Sequence, residues 1–222
     1  MLKTKLINDL EIPTIGFGTW QIQDQVEPII STALNAGYRH IDTAVVYGNE
    51  EQIGNAIKNS NLSREELFLT TKVWNTHRGY EMTLQSVEES LKRLQTDYLD
   101  LVLLHWPEKT STQNWSDINY SSWKALEELF LKGKIKAIGV SNFMVVHLNA
   151  LLKKCFIKPM INQIEYHPGY LQNDVVDYCK DRGIAVQAWS PIGSGRMLEH
   201  PLLKDLAQKY HVSVAEFCIQ FA

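Results

Sequence analysis

The 222-residue sequence predicts an α/β protein of the (β/α)8, TIM-barrel type, with about seven βα units present and the last strand and helix missing. Three observations carry this expectation. Short apolar runs alternate with amphipathic segments along the whole chain. Successive runs begin roughly 24 to 36 residues apart, the span of one strand–helix unit, which forces parallel pairing and right-handed crossovers. The first run lacks the G-x-G-x-x-G turn of a doubly wound nucleotide-binding sheet, since Gly16-Phe17-Gly18 leads into Thr19-Trp20.

Taken in order, LINDLEI (6–12) reads as a small hairpin turning at Asn8-Asp9. The strand candidates are TIGFG (14–18), RHIDTA (39–44), LFLTTKVW (67–74), LDLVLLHW (99–106), IKAIGVS (135–141), MINQIEY (160–166) and IAVQAWS (184–190). Val26, Ile29, Ile30, Ala33 and Leu34 form a helical stripe that Gly37 stops, and Asn49 is placed to cap the next helix. Leu84, Val87, Leu91 and Leu94 recur at helical spacing in 80–94, and EKTSTQNWSDINY (108–120) reads as the loop after the fourth strand, one wall of the pocket. HPLLKDLAQKYH reads as one helix and SVAEFCIQFA as another, capped by Ser213. No eighth strand follows, so two sheet edges are expected to be left unpaired, with a slot in the barrel wall. Residues 1–222 therefore read as a single barrel domain, incomplete at its C-terminal end and without a linker.

Composition narrows the function. Hydrophobic residues make up 45% and charged residues 21%, enough for a substantial core. The formal charge of −3, with Lys and Arg scattered, offers no basic face for nucleic acid. No stretch approaches the roughly 18 apolar residues of a membrane span. Cys155, Cys179 and Cys218 match neither a disulfide framework nor a zinc spacing, which suggests reduced thiols in a cytoplasmic protein, with Cys218 in the core.

Active sites of such barrels collect at the C-terminal ends of the strands. There the sequence places Asp42, Lys72, His105, Ser141-Asn142, Gln163 with Glu165, and Ser190, with Tyr47 on the loop just past the second strand. Each has an ordinary reading: Asp42 and Lys72 as a structural ion pair, Tyr47 as a loop aromatic, His105 as a satisfied core histidine, Gln163 as a partner for loop backbone. Their convergence on one mouth favours chemistry. A phenol titrates near 10, and an ammonium within roughly 4–6 Å favours phenolate by about 1–3 units. Lys72 could act in this way with Asp42 as its counter-charge, while His105 orients a carbonyl oxygen. Such a set protonates an oxygen as charge develops there, but it holds no nucleophile and no obvious metal cage. A hydride from a bound nicotinamide would then attack the carbon. Trp20, Trp74, Trp106 and Trp189 follow or end strands and would line a pocket for a flat ring and a small carbonyl compound, or merely plug the barrel top.

GFGTW (16–20), GYRHIDTAVVYGNEEQIG (37–54), TTKVW (70–74), LDLVLLHWP (99–107), GKIKAIGVSNF (133–143), INQIEYHP (161–168) and AWSPIGSG (188–195) together resemble the aldo-keto reductases, particularly small bacterial members acting on aldehydes, glyoxal and keto-sugars. The resemblance implies a catalytic tetrad of Asp42, Tyr47, Lys72 and His105, with Tyr47 as proton donor. It implies NADPH/NADP+ as cofactor. Ser141, Asn142 and Gln163 would hold the nicotinamide carboxamide beside Asp42, and Trp189 would stack on the ring. Ser190, Pro191, Ile192, Gly193 and Ser194 would wrap the pyrophosphate, with Gly193 and Gly195 letting backbone approach it, and Gly18, Thr19 and Trp20 would line the first loop. Trp20, Tyr47, Trp74, His105 and Trp106 would face a small-molecule carbonyl substrate. It also implies a monomer, though edge strands could associate. Family members grip the adenosine 2′-phosphate from an eighth unit that this sequence does not contain, so NADP preference rests on the resemblance alone. A chain ending at Ala222 would then bind cofactor poorly and fold weakly.

Two other readings compete. His40, Asp42, Lys72, His105 and His167 superficially match the strand-end ligands of barrel metallohydrolases. Alternatively, the chain is a truncated reductase fragment or binding module without turnover.

Overall fold

The computed structural model describes residues 2–222. It opens with a hairpin of β1 (Lys3–Lys5) and β2 (Glu11–Pro13), antiparallel with Lys3 opposite Pro13. Asp9 takes a left-handed φ of 63° in the turn, as the Asn8-Asp9 pair predicts. Asn8 Nδ2 donates to the Lys136 carbonyl at 3.0 Å, tying the hairpin to the chain entering the barrel wall.

Seven parallel strands then pair in chain order: β3 (Phe17–Gly18), β4 (His40–Asp42), β5 (Phe68–Val73), β6 (Leu99–Leu104), β7 (Ile135–Ser141), β8 (Ile161–Glu165) and β9 (Ala185–Trp189). Between and after them run α1 (Val26–Asn35), α2 (Glu50–Lys58), α3 (Tyr80–Arg93), α4 (Trp115–Leu131), α5 (Val145–Leu152), α6 (Asn173–Lys180), α7 (Pro201–Lys209) and α8 (Val214–Phe221). This is the expected series of seven βα units. The sheet curls: Gln163 on β8 reaches Asp42 on the non-adjacent β4. Buried along its whole length, β6 has the near-continuous apolar run such a strand needs, with Leu101, Val102 and Leu103 fully buried, whereas the equally buried β5 carries Thr70, Thr71 and Lys72. Ser213 caps α8, its Oγ accepting from Glu216 N–H at 3.2 Å, and Cys218 is buried on that helix. All three cysteines are free thiols. No helix among the described residues is long and apolar enough to cross a membrane.

Three local expectations are corrected. The first strand is only Phe17–Gly18, because the chain bends over the His40 ring; a Cβ on Gly16 would lie 2.7 Å from His40 Nδ1. Residues 108–120 are not all loop: Asn114, at φ 59°, turns the chain into α4 at Trp115. Asn49 precedes α2 but does not cap it. Its side chain instead donates to the Thr19 and Ile22 carbonyls and accepts from Thr43 Oγ1 at 2.9 Å, pinning the β3 loop to the end of β4.

Two buried carboxylates outside the mouth are neutralised locally. Glu50, at the start of α2, accepts from Thr71 Oγ1 at 2.6 Å, Ser90 Oγ at 3.2 Å and Arg93 Nε at 2.7 Å. Asp100 accepts from Arg64 at 2.7 Å and from the Leu69 N–H at 2.9 Å. These pairs bolt helices and strand starts together away from the site.

Candidate active site

The strand ends place the predicted groups at one mouth. Asp42 ends β4 and Lys72 lies one residue before the end of β5. The Lys72 ammonium donates to Asp42 Oδ1 and, at 3.1 Å, to the Thr43 carbonyl. Tyr47 closes a 3-10 turn, Val45–Tyr47, that Gly48 leaves with a left-handed φ of 70°. That turn swings the phenol back over the strand ends, and Lys72 Nζ sits 5.3 Å from its ring centroid. His105, just past β6, packs edge-on against Tyr47 at 5.7 Å and Trp74 at 5.0 Å.

Burial and charge set the protonation states. Burial is the largest influence on Lys72 and works against its charge, but Asp42 and Tyr47 together outweigh it and hold the ammonium above the usual lysine range. Tyr47 departs from expectation: burial raises its phenol above the ordinary value, and Lys72 offsets that only in part while Asp42 adds to it. The phenol therefore remains protonated at neutral pH. Burial, helped by Lys72 and opposed by Asp42, drives His105 down to about 3, so its imidazole is neutral. Its buried Nδ1 has no hydrogen-bond partner. A bare lone pair there costs less than a buried unpaired N–H, which puts the proton on Nε2 as a donor.

The remaining predicted residues form a linked belt. Ser141 Oγ donates to the Gln163 carbonyl at 2.9 Å. Asn142, at φ 62°, donates to the His105 carbonyl at 3.0 Å and Ser141 Oγ at 3.1 Å, and accepts from Trp189 Nε1 at 2.8 Å. Gln163 Nε2 donates to Asp42 Oδ2 at 2.7 Å. After β9, Ser190, Gly193, Ser194 and Gly195 all take left-handed φ, making a tight loop of upturned backbone. Gly193 is further required by Met197, whose Cγ would meet a Cβ at 2.9 Å, whereas a Cβ on Gly195 would face open space. Pro191 and Ile192 lie in that loop between Ser190 and Gly193. On the first loop, Thr19 N–H donates to the Asp42 carbonyl at 2.9 Å, Gly18 is open on its Cβ side, and Trp20 is 55% exposed. Trp106 is 42% exposed and Trp74 half-buried.

Two groups were not anticipated. Gln187 on β9 accepts from Gln163 Nε2 at 2.8 Å; a polar residue inside the apolar IAVQAW run was the available signal. Arg78 clamps the mouth from the side, donating to Asn119 at 2.8 Å, Asn75 at 2.9 Å and the Trp106 carbonyl. Burial pulls its guanidinium down to about 10, with Glu108 opposing. The metallohydrolase ligand set does not assemble. His40 is buried beneath the mouth on Thr70 Oγ1 at 2.9 Å, His167 turns to Glu165 at 3.3 Å, and no cluster of three metal-ligating side chains forms among the described residues.

Comparison with known proteins identifies the family. The profile of the aldo/keto reductase family matches residues 14–222. Glyoxal reductase of Bacillus subtilis is 48% identical over 219 residues, covering 98% of this chain and 77% of that protein. Glycerol 2-dehydrogenase (NADP(+)) of Saccharomyces cerevisiae is 40% identical, over 95% of this chain and 75% of that protein. A crystal structure of an aldo/keto reductase from Brucella melitensis superposes with a TM-score of 0.92 at 44% identity, over 98% of this chain and 82% of that one. The mouth geometry, the barrel and these likenesses together place the chain in the aldo/keto reductase family.

Proposed function

We propose that this chain reduces aldehyde or ketone carbonyls to alcohols with NADPH, Tyr47 acting as the proton donor. One observation carries the reading: the Tyr47 phenol faces the Lys72 ammonium, which is bound to the Asp42 carboxylate, and the His105 imidazole packs edge-on against the phenol. A carbonyl oxygen seated between Tyr47 and His105 accepts one hydrogen bond from each. As negative charge grows on that oxygen, the Tyr47 proton moves to it, and Lys72 stabilises the phenolate left behind. Asp42 keeps Lys72 charged through that step.

The belt suits a nicotinamide. Gln163 Oε1 finds no partner among the described residues and is free to accept from a carboxamide N–H. The Trp189 indole is held in place by Asn142, which fits a stacking platform. The run of left-handed φ from Ser190 to Gly195 suits an anion-binding concavity, with the Gly193 and Gly195 N–H groups donating to the Ser190 and Ile192 carbonyls to hold the loop tight. When bound, the cofactor supplies the hydride. The 2′-phosphate form is favoured by likeness to the yeast NADP(+) enzyme. In the same reading, the seven βα units belong to a single barrel domain working as a cytoplasmic monomer, and the Bacillus relative points to small aldehydes such as glyoxal.

The test is glyoxal-dependent loss of reduced-nicotinamide absorbance by the purified chain, run with NADPH and with NADH. Faster oxidation of NADPH is expected. A folded protein that oxidises neither in a carbonyl-dependent way defeats the proposal.

A further inference from the structure

We infer that Gln187 is a positioning residue that fixes which end of the Gln163 amide faces the reaction centre. This rests on the reductase reading above. Asp42, ionised beside Lys72, accepts hydrogen bonds but donates none, so Gln163 must turn its NH2 and not its carbonyl toward Asp42 Oδ2. That contact uses one of the two amide hydrogens. The other goes to Gln187 Oε1 at 2.8 Å. Gln163 and Gln187 are register partners on β8 and β9, so their side chains leave the same face of the sheet at the same level. With both hydrogens spent, the Gln163 carbonyl oxygen is the one part of the amide left for a ligand.

A single bond to Asp42 leaves the Gln163 side chain free to pivot about that contact; the second bond removes the pivot. Gln187 therefore acts on the ligand only through Gln163, and its neutrality matters as much as its reach. A carboxylate in the same place would still accept from Gln163, but it would add negative charge to a mouth where Asp42 already raises the Tyr47 phenol. The side chain must accept a hydrogen bond without carrying charge, which glutamine does.

Two substitutions separate these roles. Gln187→Met keeps the length and removes the acceptor; Gln187→Glu keeps an acceptor and adds charge. NADPH affinity is read by quenching of tryptophan fluorescence, which needs no turnover, and kcat/KM is read against pH with glyoxal. Gln187→Met is expected to weaken NADPH binding about three- to tenfold, the worth of one hydrogen bond. Gln187→Glu is expected to restore wild-type affinity while moving the alkaline limb of kcat/KM up by about one pH unit. Circular dichroism confirms that both variants fold. A Gln187→Met protein that is folded and binds NADPH as the wild type does overturns the positioning role, as does a Gln187→Glu profile that does not move. Wild-type protein that neither binds NADPH nor turns over glyoxal sinks the reductase reading itself, and this inference with it. Wild-type activity alongside indifferent Gln187 variants sinks this inference alone.

Discussion

The ammonium of Lys72 lies 5.3 Å from the centre of the Tyr47 ring and donates a hydrogen bond to Asp42. Burial alone would favour the neutral amine, so the charge on Lys72 depends on Asp42. Asp42→Asn should let the Lys72 pKa fall and should also relieve the upward push of Asp42 on Tyr47. Both effects run in one direction. The alkaline limb of kcat/KM is expected to move to lower pH and kcat to drop on the order of a hundredfold. Steady-state rates across the pH range check this; an unmoved limb contradicts the coupling.

Acid should weaken the fold through its neutral histidines. The unfolded chain takes up histidine protons near pH 6.5, while burial keeps His105 unprotonated down to about 3 and lowers His40 as well. Between those values the unfolded state binds more protons, so stability is full above about 6.5 and is lost as the pH falls below it. For His105 the loss reaches on the order of 3 kcal/mol by about pH 4. Urea melts of wild type and His105→Gln at neutral and acid pH should show a shallower acid loss in the variant.

Glu50 is 1% exposed and depends on Arg93 for its counter-charge. Arg93→Met should cost about 2 to 3 kcal/mol by leaving that carboxylate buried and unpaired, and adding Glu50→Gln should recover much of the loss. Chemical denaturation of the single and double variants measures both.

Gly54 sits within α2, where alanine ordinarily stabilises a helix by up to about 1 kcal/mol. Here a Cβ would meet the Arg93 carbonyl oxygen at 2.5 Å and Leu94 backbone at 2.9 Å. Gly54→Ala is expected to destabilise by about 1 to 3 kcal/mol, seen as a lower Tm.

What the sequence discloses follows from which physical signal is local. Alternating apolar runs and helical stripes give seven βα units, because burial on both faces of a parallel strand shows in the run itself, as in LDLVLL. Asp42, Lys72 and His105 are visible because each is polar at or beside the end of its strand, and Gln163 because it is polar within a buried one. The Gln163 bond to Asp42 joins residues 121 apart and appears only once the sheet curls. The upward shift of Tyr47 is likewise hidden. Spacing shows that an ammonium is near, but not that burial of the phenol outweighs it. Asn49 looks like a cap because Glu50 begins a helix, yet the distant Thr19 and Ile22 carbonyls claim its side chain.

Tyr47→Phe tests proton donation most directly, because it removes one oxygen and leaves the ring packed on His105. Carbonyl-dependent oxidation of NADPH should fall by roughly 10²- to 10⁴-fold in kcat, with NADPH affinity, read by fluorescence quenching, unchanged. A folded Tyr47→Phe protein that turns over as fast as the wild type contradicts the assignment of the phenol as the acid.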